Sequence, residues 1–126
     1  MKTGWLKPVY LFLLVAFLTE TPASAKNPLD EKQALDLLIV QIKKDKLYDS
    51  WTSLACLSFV TEKNTKNHVD IAIHEKHGGN CPGDPDTTPI VDRFRLHRLN
   101  QKIQWYDQST GSYQPYRGVV KYRLEK

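Results

Sequence analysis

His68-Val-Asp-Ile-Ala-Ile-His74, the stretch HVDIAIH at residues 68–74, decides the fold. Val69, Ile71 and Ile73 alternate with His68, Asp70, Ala72 and His74. A period of two puts the branched apolar side chains on one face of an extended chain and the polar ones on the other, the mark of a half-buried strand. Just upstream, Ala55 to Glu62 is strand-like and Asn64 to Asn67 is a polar turn, so the two segments form a hairpin. Downstream, Val91 to Arg98 alternates again, with Phe94 and Leu96 on one face and Arg93, Arg95 and His97 on the other. Leu99-Asn100 turns the chain, and Lys102 to Asp107 returns with Ile103 and Trp105 facing inward. After a turn at Gly111, Tyr113 to Tyr116 reads as a short edge segment. Arg117 to Lys126 is basic with scattered apolar residues, read as a short final strand or a frayed tail.

Before the first strand the period is 3.6. Leu35, Leu38, Ile39 and Ile42 recur at 3, 4 and 7 residues, a single apolar stripe. Pro28 opens the stretch, Asp30 and Glu31 suit the positive end of a helix, and Lys43, Lys44 and Lys46 suit the negative end. Asp30 to about Lys46 is therefore one amphipathic helix. The fold class is α+β: one N-terminal helix packed on an antiparallel sheet of about four strands, in two layers.

The first residues belong to a different plan. Lys2 and Lys7 make a basic start, Val9 to Leu18 is an apolar run of ten, and Ala23-Ser24-Ala25 supplies small residues for cleavage. This is the layout of a secretory signal peptide spanning residues 1–25, and the run is too short to cross a bilayer core, which needs about 20 apolar residues. Cleavage leaves a single domain, residues 26–126. The whole chain carries +4; removing Lys2, Lys7 and Glu20 leaves +3. That is too little for a nucleic-acid footprint, though enough for weak attraction to an anionic surface. Cys56 and Cys81 both lie in the exported part, where an even count reads as a disulfide. Closing a loop of about 25 residues contributes ~3.5 kcal/mol in the chain-entropy view. The expected compartment is the periplasm or the exterior, with no transmembrane anchor and a monomeric chain.

The chemistry would have to come from HEKHGGNCPGDPDTTP, residues 74–89. His74 and His77 could be two zinc ligands, with His97 or Asp92 as a third. On a strand, however, i and i+3 point to opposite faces, and no H-E-x-x-H or Cys-x-x-Cys partner is present. The other reading is two surface histidines at a strand end. Asp84 and Asp86 sit in Gly-Asp-Pro-Asp; they could be oxygen ligands, but the full calcium-loop series is missing and the pairs are also ordinary turn chemistry. Pairing Cys56 with Cys81 leaves no thiolate for nucleophilic attack. The loop then reads as scaffold: Cys81 pins it, and Pro82, Pro85 and Pro89 stiffen it. No metal, cofactor or catalytic set is assigned.

Two features remain. Arg93, Arg95 and His97 share the polar face with His68, Asp70, His74, Lys102, Gln104 and Tyr106; that face is either simply solvated or a docking surface for an acidic or extended partner. The second is Trp105-Tyr-Asp-Gln-Ser-Thr-Gly-Ser-Tyr113, in which Asp107 can bond forward into the turn and Gly111 accepts positive φ. This stretch resembles the strand ending in Asp-x-x-Thr-Gly of PepSY domains, and the helix-then-strands order resembles the cystatin-like two-layer arrangement. The chain also looks like small exported proteins of Gram-negative bacteria. The resemblance implies non-catalytic binding, peptidase-inhibitory or regulatory, in the envelope or toward a host protein. The binding candidates are Arg93, Arg95, His97, His74, Tyr106, Asp84 and Asp86. The alternatives are a small hydrolase or metal-binding protein using His74, His77 and His97 with Asp84, and a self-assembling structural protein of the envelope.

Overall fold

Strands that alternate need a second layer over their apolar face. A computed structural model describes Gly4 and residues 27–125; the signal-segment expectation for residues 1–25 lies, Gly4 apart, outside them. The first covering element is helix α1, Glu31–Asp45. The Asp30 carboxylate accepts the Gln33 amide at 2.7 Å, and the Gln33 side chain accepts the Asp30 amide at 3.0 Å. This reciprocal cap satisfies two donors that a helix start leaves open. Lys46, at φ 51°, ends the helix in the left-handed region. Ala34, Leu38 and Ile42 are buried, while Val40 on the far side is 62% exposed.

Five strands follow: β1 Leu57–Asn64, β2 His68–Glu75, β3 Ile90–His97, β4 Ile103–Asp107 and β5 Ser112–Pro115. They lie side by side in sequence order, each antiparallel to the next. Short turns join all neighbours except β2 and β3, which the 76–89 loop connects, and pairing consecutive strands is the least demanding topology for the chain. β1 starts two residues later than the sequence suggests, because Leu54–Cys56 forms a single 3₁₀ turn. The residues expected to face inward do so: Val69, Ile71, Ile73, Phe94, Leu96 and Trp105 are buried and join Leu38, Ile42, Leu47 and Tyr48 in one core cluster. The edge segment expected at 113–116 is a laddered fifth strand, with Trp105 opposite Gln114 and Tyr106 opposite Tyr113.

The end of the chain differs from expectation. Arg117–Leu124 is a helix, α2, neither a strand nor a tail. Gly118, Val119 and Val120 lower its intrinsic helix preference. Packing outweighs that deficit. Val119 is fully buried in the core cluster, Tyr116 and Val120 pack against it, and Arg123 is half-buried. These four recur at 3, 4 and 7 residues, the helical period. At Gly118 a Cβ would stand only 3.3 Å from the Trp105 ring, so glycine lets the helix sit close on β4. Two helices, not one, therefore cover the same face of the sheet. Among the described residues no helix is long and apolar enough to cross a membrane.

Leu38→Ala should lower the unfolding free energy by about 2–5 kcal/mol in denaturant titration, through lost burial and a residual cavity. Val40→Ala, one turn face away, should change it by no more than about 0.5 kcal/mol.

Candidate functional site

The sheet is not laddered along its whole length. β3 and β4 pair only at Phe94 with Trp105, Arg95 with Gln104 and Leu96 with Ile103. The next rungs in that register, Arg93 with Tyr106 and Asp92 with Asp107, are not formed. The strands fork there, and a cleft of about 1030 Å³ occupies the gap. Trp105 forms its floor, the N-terminal half of β3 one wall, and the Tyr106–Thr110 segment with Gln114 and Pro115 another; α2 closes it with Arg117, Gly118, Lys121, Tyr122 and Arg123. Tyr122, itself 54% exposed, stacks on Trp105 at 5.6 Å between centroids. The Asp107 carboxylate accepts the Ser109 amide at 2.9 Å and its hydroxyl at 2.7 Å, and Gly111 adopts φ 69°, which shapes the β4–β5 turn at the cleft mouth.

Beneath the cleft lies Asp92, a buried carboxylate on the covered side of β3. It accepts the Tyr48 hydroxyl at 2.7 Å, the Trp105 indole N–H at 2.9 Å and Arg123 Nε at 3.1 Å. Burial and the adjacent Asp92 charge push the Tyr48 hydroxyl far above its ordinary value, so it stays a proton donor. Arg123 also donates to the Val91 carbonyl at 3.2 Å, and its guanidinium lies 4.9 Å from the Trp51 ring and 5.3 Å from that of Tyr122. A buried anion is tolerated only when its lone pairs are met in this way. Asp92, considered as a third metal ligand, is instead a structural acceptor that receives three donors, one on Oδ1 and two on Oδ2.

From Trp51 the polar chain continues into the 76–89 loop. The Trp51 indole donates to Glu75 at 2.9 Å, and the other Glu75 oxygen lies 2.8 Å from His77 Nε2. His77 Nδ1 lies 2.9 Å from the Asp84 carbonyl. Thr87 Oγ1, also 2.9 Å away, spends its own proton on that carbonyl. Both ring nitrogens are thus engaged, Nε2 by the Glu75 carboxylate and Nδ1 by oxygens of the 84–87 turn, and the side chain is only 10% exposed. Its ring fills the space over Gly83, where φ is 109° and a Cβ would come within 2.6 Å. The Cys56–Cys81 disulfide, with Cα atoms 5.5 Å apart, pins the same loop from its other side. His77 is therefore an inward anchor rather than a surface histidine.

The remaining sequence candidates are scattered. His74 Nδ1 lies 3.1 Å from the Thr88 carbonyl. His97 sits opposite His68 on β2, six residues from His74, or on the order of 20 Å along the strand. Its Nε2 meets Gln104 at 2.7 Å. The zinc grouping of His74, His77 and His97 is thus not assembled, and no group of three potential ligands occurs among the described residues. Asp84 Oδ1 accepts the Asp86 amide at 2.9 Å, an Asx turn, as its Gly/Pro setting suggested; Asp86 is exposed.

The face that neither helix covers carries the expected polar residues, but its arginines are engaged. Arg95 grips Asp70 through two bonds of 2.8 and 2.9 Å and lies 4.2 Å over the Tyr113 ring; Arg93 pairs with Glu62 at 2.8 Å. Tyr113 in turn meets Tyr106 edge-on at 5.3 Å. Only Arg93 and Tyr106 of the proposed binding set line the cleft. Arg117, Lys121, Tyr122 and Arg123 were missed because their segment was not read as a helix. The 3-4-7 recurrence from Tyr116 to Arg123 was the signal that could have found them.

The hydrogen bond to Glu75 holds His77 above the ordinary imidazole value, about 6.5. Its contribution is therefore complete below that value and is lost as pH rises through the raised one. The bonds from His77 and then Trp51 hold Glu75 below its ordinary range, so its share fades only as pH falls. Burial and then Arg95 push His68 the other way, below the ordinary value. In an NMR titration His77 should thus titrate above His68, and the loop resonances should follow His77. A His77 midpoint at or below that of His68 would contradict the anchor.

No family model, curated protein or solved structure matches the chain. Function is therefore read from the site's own geometry.

Proposed function

We propose that this chain is a small exported binding domain without enzymatic activity, and that it engages a protein partner through the cleft where β3 and β4 part. The fork carries this reading. Two strands stop pairing midway and leave a concave, aromatic-floored site at the upper end of the usual size for pockets. Preformed strand-edge grooves of this kind suit extended protein segments. The disulfide and the absence of a long apolar helix among the described residues are compatible with a protein outside the cytoplasm. The PepSY-like turn motif at Trp105–Tyr113 forms one lip of the cleft, which supports a regulatory or peptidase-inhibitory role in the envelope or toward a host protein. The polar sheet face, with its arginines already paired, is a secondary contact.

The hydrolase alternative has less support. Glu75 and His77 have the proximity of a catalytic pair, but both imidazole nitrogens are engaged by the protein's own groups and the His77 side chain is only 10% exposed, which leaves a substrate little access to it.

Affinity capture from extracts of the native compartment tests the proposal. Wild type should retain one defined partner. Thr110→Trp, which obstructs the mouth from an exposed turn, should lose it, and Lys44→Glu on the far helix should not. Capture unaffected by Thr110→Trp would move the site elsewhere, and a turnover abolished by His77→Ala would favour the hydrolase.

A further inference from the structure

The cleft's charge pattern narrows the occupant. Four cations line it, Arg93, Arg117, Lys121 and Arg123, against two carboxylates, Asp92 and Asp107. Arg123 is committed to Asp92 and Arg93 to Glu62. Asp107 holds its own turn through Ser109. Arg117 and Lys121 differ: both are exposed, and neither forms an ion pair among the described residues. They stand one turn apart on the α2 wall, about 6 Å along the helix axis. In an extended chain residues i and i+2 project to the same side, about 6.6 Å apart. The two spacings match.

Resting on the binding reading above, we propose that the cleft takes an extended acidic peptide segment, two of whose carboxylates, at alternate positions, reach Arg117 and Lys121. Its backbone runs along the α2 wall. An apolar side chain of the segment lies against Tyr122, which is 54% exposed and stacks on the buried Trp105 ring. Arg117 can grip a carboxylate with two parallel N–H bonds, and Lys121 supplies a point charge. Asp107 at the far end repels a third carboxylate and so sets the limit of the acidic run. The same spacing could admit phosphates, but the modest net charge gives little of the long-range field that nucleic-acid binding relies on.

The test uses three short, end-blocked peptides that alternate Glu, Gln or Lys with Leu, together with a short oligothymidylate. Amide shifts mapped on the intact exported chain report the site. The Glu peptide should shift residues 105–123, and the Gln peptide should bind roughly tenfold more weakly or worse, as expected when charge-assisted bonds are lost. Arg117→Glu plus Lys121→Glu should reverse the preference toward the Lys peptide; both positions are exposed, so the fold should persist and can be checked by the same spectra. Equal binding of the Glu and Gln peptides at the cleft would overturn the acidic specificity while leaving the binding site in place. Oligothymidylate shifting the same residues more strongly than the Glu peptide would assign the site to nucleic acid instead. If no peptide and no oligonucleotide perturbs residues 105–123, both this inference and the cleft reading fail.

Discussion

Asp92 is the constraint on which the site depends. A carboxylate withdrawn from water is costly unless donors surround it. Here the donors come from three separate parts of the chain: Tyr48 after α1, Trp105 on β4 and Arg123 on α2. One side chain therefore fixes where the post-helix linker, the floor of the cleft and its helical wall stand relative to β3. Such a pairing adds little net stability over an apolar core of the same shape, but each direction is specified by a hydrogen bond. It explains how an eight-residue helix with two valines and a glycine holds its place: Val119 provides the burial, Gly118 the close approach and Arg123 the registration.

The same polar chain reaches the proline-rich loop. Arg123 lies over Trp51, Trp51 donates to Glu75, and Glu75 meets His77, which holds the loop from inside while Cys81 holds it from outside. A loop with almost no apolar side chains of its own thus has two independent tethers. Its histidine and Asp84 are accounted for by bonds within the loop and to Glu75. In the cleft itself, Arg117 and Lys121 on α2 are exposed and form no ion pair among the described residues.

The fold was largely legible because the sequences of β2 and β3 alternate. Val69-Ile71-Ile73 and Phe94-Leu96 left no choice of face, and Asp30 with Lys43 and Lys44 framed α1. The disulfide was expected from an even count of two cysteines and a start that reads like a secretory signal. The site was much less legible. Arg93 and Arg95 looked like open cations because parity shows the face of a residue but not its neighbour; Glu62 and Asp70 meet them only through strand pairing. Asp92 was read as a possible ligand, since nothing local reveals that residues 44 positions before and 31 after would meet it. His77 gave the same trouble: its partners converge only once the loop folds back over Gly83. The fork between β3 and β4 has no local signature, and α2 was missed because its β-branched residues outweighed a correct helical period.

The most direct measurement is a double-mutant cycle between Asp92→Asn and Arg123→Met, read by equilibrium unfolding. Each single change should destabilise the protein. The double variant should recover about 1–3 kcal/mol relative to the sum of the two, because the partner left behind is no longer a buried unpaired charge. Effects that add to within about 0.5 kcal/mol would mean that β3 and α2 are held together by apolar packing alone, and that Asp92 does not position the cleft.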